Sequence, residues 1–294
     1  MSSHLDAARR QRELEQLPSE QLDVLVVGGG VTGCGIALDA ASRGLQVALV
    51  EKDDLAFGTS RWSSKLVHGG LRYLASGDVA IALESARERG VLMRRTAPHL
   101  IRPLPMAIPL STDIDRRSQL LLGAGARAAD LLRAVSRTPR SVLPGPRRIG
   151  IAETQRLLPA VRRAGLRGAW VNWDGHLEDD ARLVVAIART AAAHGARILT
   201  RVRYDDGHLT DRLTGESLGY QAKTVVLATG AWTAGVAPSK GVHVVLAAKT
   251  LGYPIGSITV PVPQEPNRYV FALPHADGII HVGLTDDRLD GPLP

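Results

Sequence analysis

Cysteine is almost absent. The single one, Cys34, leaves no partner for an intramolecular disulfide and no clustered-thiolate zinc or iron–sulfur site, so no metal site is expected and the setting reads as reducing. Phenylalanine is scarce too, with two residues, and no basic stripe alternates with aromatic rings; nucleic acid is therefore not an expected partner despite a formal charge of +7 and a pI near 10. Lysine occurs only at Lys52, Lys65, Lys223, Lys240 and Lys249, and arginine carries the rest of the positive charge, a bias that a GC-rich genome produces as readily as an anionic partner does. Long uncharged runs are missing: nothing reaches the roughly 18 apolar residues of a membrane span. The opening stretch, MSSHLDAARRQRELEQLPSE, lacks the apolar core of a secretory signal. Export is not expected, and a membrane role would be peripheral.

What remains is globular in character. The 294 residues are 45% hydrophobic and 22% charged, enough for two interleaved domains that each bury a core. Residues 1 to about 20 read as a mobile or helical arm without a strong apolar face. Leu22 to Val27 is an apolar, β-branched run that ends in Gly28-Gly29-Gly30, and Ile36, Ala37, Leu38, Ala40 and Ala41 follow at helical spacing until Arg43-Gly44. Gln46 to Val50 is the next strand. Together these make a βαβ unit with parallel, doubly covered strands.

Further along, Val79 to Arg95 has helical period, and Ser118 to Arg137 reads as an amphipathic helix with Leu120, Leu121, Ala124, Ala128, Leu131, Leu132 and Val135 on its apolar side and Arg127, Arg133 and Arg137 on its polar side. Prolines at 139, 144 and 146 interrupt the chain after it. Ala181 to His194 is a helix, and Arg197 to Val202 and Lys223 to Leu227 are strands. Ile258 to Val262, Arg268 to Leu273 and Gly278 to Val282 alternate like an antiparallel meander.

Gly28-x-Gly30-x-x-Gly33 lies between a strand and a helix, the context that separates a dinucleotide fingerprint from chance glycines. The first glycine permits the tight turn, the second lets backbone approach a pyrophosphate, and the third allows close helix–strand packing, while the helix N-terminus offers unpaired N–H groups. Glu51 ends the second strand, where a carboxylate can accept hydrogen bonds from an unphosphorylated adenosine ribose. The loop after it is dense in hydroxyls and charge, from Lys52 through Thr59, Ser60, Ser63 and Ser64 to Lys65, which favours FAD over a nicotinamide cofactor. Val225 to Trp232 runs from a strand into small residues that permit backbone to lie against an extended dinucleotide, although an ordinary strand-to-turn transition has the same pattern.

The stretch Asp23 to Pro109 closely resembles the FAD-dependent (aerobic) glycerol-3-phosphate dehydrogenases, most tellingly in SSKLVHGGLRYL at Ser63 to Leu74. Further matches in family order are Leu177 to Thr200, ATGAW at Ala228 to Trp232, PSKGVHVVL at Pro238 to Leu246, RYVFALP at Arg268 to Pro274 and HVGLTDD at His281 to Asp287. The resemblance implies an α/β fold, with a Rossmann-like FAD-binding domain (21–95 and 176–237) after an arm (1–20), interleaved with an α+β substrate domain (96–175 and 238–294) that carries an antiparallel sheet. It implies hydride transfer from sn-glycerol 3-phosphate to FAD, giving dihydroxyacetone phosphate, with electrons passed to membrane quinone by a cytoplasmic protein peripheral on the inner face of the cell membrane, an anionic surface. A homodimer stays open.

By the same match, Gly28, Gly30, Gly33, Glu51, Thr59, Ser60, Ser63, Ser64, His68 and Gly230 would serve FAD. Arg72 and Tyr73 would contact substrate, Arg72 binding phosphate bidentately, and His243 would take the hydroxyl proton. Arg72 as a solvated loop arginine and His243 as a satisfied strand histidine remain alternatives. The family continues past the position of Pro294 through a Gly-Gly-Lys segment, so the substrate domain is expected to be incomplete and these residues alone are expected to bind FAD weakly. A related amine or polyol oxidase and a non-catalytic FAD-binding fragment are the competing readings.

Overall fold

A computed structural model of the protein describes residues 3–70, 73–74, 77–112, 116–233, 235–262, 269–283 and 285–289, with backbone alone at 116–119, 121 and 261. The chain divides into two units: Met1–Ser63, Asp179–Pro238 and Arg288–Pro294 form one, and Ser64–Glu178 with Ser239–Asp287 the other.

In the first unit the strands run parallel in the order Gln221–Leu227, Gln21–Val27, Val47–Glu51, Arg197–Thr200. Parallel neighbours need a crossover, and the helix Val31–Ser42 supplies one between Gln21–Val27 and Val47–Glu51. Its buried face is small, Cys34, Ala37, Ala40 and Ala41, and meets the equally small Ala188, Ala191 and Ala192 of the helix Asp180–Ala193 over Val26, Val47 and Leu49. That second helix begins where the Asp179 carboxylate accepts from the Arg182 amide at 2.9 Å.

The opposite face of the sheet corrects the reading of the first twenty residues. They hold a helix, Ala7–Gln16, capped by Asp6, and Leu14 and Leu17 bury against Leu22, Leu25, Val50 and Leu199. The apolar face is narrow because the charges around it are tied to the fold rather than to solvent. Arg9 donates to the carbonyls of Ala192 and Ala196, and Arg10 meets Asp211 at 2.7 Å. Val202 and Leu209, from a small antiparallel sheet of Val202–Asp205, His208–Asp211 and Ser217–Leu218, complete this layer.

The second unit is built on a mostly antiparallel sheet of eight strands, in the order His243–Ala247, Ile279–Gly283, Tyr269–Pro274, Ser257–Pro261, Ile101–Ser111, Leu166–Leu177, Leu66–Val67, with Arg147–Ile149 also on Leu166–Leu177. The meander of the tail falls where its alternation places it. The long Ile101–Ser111 strand does not follow from pattern, since Pro103, Pro105 and Pro109 read as breaks, and its partner Leu166–Leu177 is not among the strands expected from sequence either. All three prolines share one parity, so their missing amide donors fall on one side of the strand.

The boundary read at residue 95 lies instead after Ser63. Leu66–Val67 pairs with Leu166–Leu177, and Val79–Val91 packs its Ala82 and Ala86 on Leu132 of the helix Arg116–Val135. Arg133, expected on the polar side of that helix, is buried, bonded to Asp130 at 2.7 Å and to the Thr138 carbonyl. Arg89 is only 5% exposed and ion-paired with Asp174 at 2.7 Å. Its guanidinium fills the space that a Cβ at Gly69 would need, while a Cβ at Gly70 would instead lie 2.7 Å from the Ala82 Cα.

Asp174→Ala strands the Arg89 charge in the interior and is expected to lower stability by roughly 3–5 kcal/mol, read as the urea unfolding midpoint. Arg102→Ala, which breaks the solvent-exposed pair with Glu178, is expected to change it by less than about 1 kcal/mol. Equal effects would mean that burial of the Arg89 pair is not what holds this segment.

Candidate functional site

In the first unit the fingerprint glycines are held by steric contact with backbone. Gly28 has φ +117, and a Cβ there would overlap the Ala228 carbonyl; a Cβ at Gly33 would overlap the carbonyl of Gly28 itself. The turn, the start of the helix and the Ala228 segment therefore touch with no room for a side chain between them. Gly30 is the helix N-cap and offers no side-chain capping bond. Instead the Val31 amide donates to Ser60 Oγ at 2.9 Å, so a hydroxyl sits at the helix mouth where an anion is favoured.

Glu51 closes the other side. Its Oε2 accepts from the Gly29 amide at 2.6 Å and its Oε1 from the Asp53 amide at 2.8 Å, which orients the carboxylate and leaves lone pairs on both oxygens. Gly29, the residue the fingerprint ignores, is fixed by the same contact: a Cβ there would lie 2.9 Å from the Glu51 side chain. Cys34, beneath the turn, has its thiol pushed up to about 12 by burial and by the charge of Glu51, so it is a packing residue and not a nucleophile.

Two segments that look independent in the sequence come together here. Lys52 Nζ lies 5.2 Å from the Trp232 ring centroid, and a Cβ at Gly58 would be 2.8 Å from the same ring. The loop after Glu51 is thus seated on the end of the Gln221–Leu227 strand, near Gly230, whose φ is +60. Thr59 is exposed. Ser63 is committed to the buried Asp180, which accepts from its amide at 3.1 Å and from its hydroxyl at 2.8 Å.

In the second unit Ser64 Oγ and His243 Nε2 are 3.1 Å apart. Burial, the His281 ring and the Lys65 ammonium push the His243 pKa below the ordinary histidine range, so the ring is neutral near pH 7 and able to accept a proton. Three more histidines gather beside it and were not singled out from sequence: His281 with ring centroids 5.4 Å from His243, His275 at 4.2 Å from His281, and His176, whose Nε2 is 3.0 Å from His275 Nδ1. The available signal was parity. His275 and His281 are an even number of residues apart around the Ala-Asp-Gly turn, and so share a sheet face.

His68 is exposed, with its ring 6.0 Å from that of Tyr73, and Tyr73 packs on the Ala82, Ala86 and Leu132 cluster. Arg72 lies outside the described residues. Among the described residues no group of histidine, cysteine or acidic side chains is arranged to hold a metal ion.

A Rossmann-type cradle with an acid at the end of its second strand defines a dinucleotide-binding protein. The family model of the FAD dependent oxidoreductases matches residues 23–294, and the chain belongs to that family, whose cofactor is FAD. It is 52% identical over 305 positions to "Glycerol-3-phosphate dehydrogenase 1" of Mycobacterium tuberculosis (strain ATCC 25618 / H37Rv), an alignment that takes in 100% of this chain and 59% of that protein. It is 32% identical to the "Aerobic glycerol-3-phosphate dehydrogenase" of Staphylococcus saprophyticus, over 97% of this chain and 54% of the relative. Among solved structures, the glycerol-3-phosphate dehydrogenase from Bacillus halodurans complexed with FAD superposes with a TM-score of 0.69 at 29% identity, covering 97% of this chain and 51% of that one. The chain spans a little over half the length of the relatives it matches.

Gly33→Val is expected to abolish FAD binding, because the helix cannot then approach Gly28; Gly35→Ala, where a Cβ meets nothing within 4 Å, is expected to bind FAD as the unaltered chain does. Titration with FAD followed by flavin fluorescence reads both. A second expectation concerns pH. The His275 pKa is pushed down to about 4 from 6.5, first by burial and then by His176 and His281. The unfolded chain therefore binds this proton at a higher pH than the folded one. Stability should be full above about pH 6.5 and fall as pH drops toward 4, and His275→Gln should flatten that limb of a urea-midpoint profile.

Proposed function

We propose that this chain carries the flavin-binding and proton-accepting parts of an enzyme that oxidises sn-glycerol 3-phosphate to dihydroxyacetone phosphate. The observation that carries this is the contact of His243 Nε2 with Ser64 Oγ at 3.1 Å, in a chain that also contains a glycine cradle free of side chains and is half identical to a protein named for that reaction. Bound FAD supplies a two-electron acceptor for hydride. The remaining work belongs to the chain's own residues.

Gly28, Gly30 and Gly33 would admit the pyrophosphate to the helix mouth, where the Ser60 hydroxyl, which accepts from the Val31 amide, keeps its own proton to donate. Glu51 accepts from ribose hydroxyls with the lone pairs that its two backbone partners leave open. Thr59, Ser63, Ser64, His68 and Gly230 would also serve FAD. Arg72 holds the substrate phosphate bidentately, with Tyr73 beside it. His243 Nε2 takes the proton of the substrate hydroxyl as hydride leaves the same carbon, so that a carbonyl forms and the charges balance.

The electrons pass to membrane quinone. The helix Arg116–Val135 supports a peripheral seat on an acidic membrane: Leu120, Leu131 and Val135 are 75%, 65% and 50% exposed, and Arg127 is exposed with them. Among the described residues no helix is long and apolar enough to cross a membrane.

The test is anaerobic bleaching of flavin absorbance with FAD in excess. Glycerol 3-phosphate is expected to bleach it, and glycine and glycerol are not. Arg72→Leu is expected to weaken substrate half-saturation roughly ten- to a hundredfold, the worth of a charged hydrogen-bond pair, and His243→Gln to slow bleaching by about 10²–10⁴. Bleaching by amines in place of glycerol 3-phosphate would overturn the substrate assignment.

A further inference from the structure

The four histidines of the second unit lie in one continuous row, and sheet register places three of them. His281 is opposite Val245 on one side and Leu273 on the other. His243 is two residues from Val245, and His275 two from Leu273, so all three side chains share a face as diagonal neighbours. His176 reaches the end of the row from the Leu166–Leu177 strand.

The geometry also sets where protons sit. His275 Nδ1 is 3.0 Å from His176 Nε2, while the buried His275 Nε2 has no hydrogen-bond partner among the described residues. A proton on Nε2 would face no acceptor among the described residues, which favours a single proton held between His275 Nδ1 and His176 Nε2. The charged groups around the row are Lys65, which opposes protonation of His176, His243 and His275, and Asp277 and Glu178, which favour it at His176, Asp277 also at His275. At His243 the charged neighbours are His281 and Lys65, both opposing. Like charges this close cannot all form.

We propose that these four imidazoles titrate as one unit that holds no more than one added proton near neutral pH, with His281 and His275 as positioning residues that keep His243 ready to accept it. A proton on His243 raises the cost of a second anywhere in the row, so a second is kept out until His243 releases the first. The role of His243 in turnover rests on the glycerol 3-phosphate reading above; the coupling of the four rings does not.

Histidine ring signals of the full chain, labelled at Cε1 and followed by NMR between about pH 4 and 8, test this without any substrate. Coupled sites titrate over a wider range than a single site does, so the unaltered chain is expected to give broadened curves for all four rings. His281→Gln is expected to raise the His243 midpoint, His275→Gln to raise it less, and His208→Gln, on an exposed hairpin, to leave it unmoved. In flavin bleaching by glycerol 3-phosphate, the acid limb should move to higher pH in His281→Gln.

Curves of ordinary width with an unmoved His243 midpoint would overturn the inference, and the width measurement stands even if a variant fails to fold. If the rings couple but His243→Gln bleaches normally, the proton-acceptor reading fails and the row survives. If they do not couple and His243→Gln is inactive, the reverse holds.

Discussion

A backbone contact without side chains governs the first unit. The Gly28 carbonyl occupies the space a Cβ at Gly33 would need, and the Ala228 carbonyl occupies the space of one at Gly28. The turn, the start of the helix and the distant Ala228 segment can therefore meet at one point, and the helix Val31–Ser42 begins at the mouth of the turn with its Val31 amide on Ser60 Oγ. The parallel sheet, the orientation of Glu51 through the Gly29 amide and the seating of the loop on Trp232 all follow from that approach. Any side chain there would separate the helix from the sheet and remove the anion site with it.

The second unit rests on a different principle, the placement of charge in poorly hydrated surroundings. Arg89 is buried but answered by Asp174, and its guanidinium fills the space that a Cβ at Gly69 would need. Burial, with Lys65 and the neighbouring rings, pushes the pKa values of His176, His243 and His275 down. One arrangement fixes a segment in place and the other fixes a protonation state. The same chain thus buries an arginine against a carboxylate in one place and gathers imidazoles together in another.

Much of this was legible in the sequence. The βαβ unit, its glycines, Glu51 and the helix from Asp180 follow from spacing and period, because each is written in contiguous residues. The tail meander was legible for the same reason. The burial of Leu14 and Leu17 was not, since arginines that look solvated are bonded to Ala192, Ala196 and Asp211. Nor was the Ile101–Ser111 strand, because proline reads as a break unless the side on which its missing donor falls is known. Arg133 looked like surface for want of any local sign of Asp130 and Thr138 around it.

The sequence alone determined the local geometry: where the chain turns, where it can come close to itself, and which residues alternate across a strand. These depend on sterics and periodicity within a few neighbouring positions. Tertiary structure decided the company each functional group keeps. Ser64 and His243 are 179 residues apart, and His176 and His275 are 99 apart, so only the register of the large sheet brings them within hydrogen-bonding distance. Whether a histidine is charged depends on those neighbours and on its burial, and neither is a property of the residues beside it in the chain.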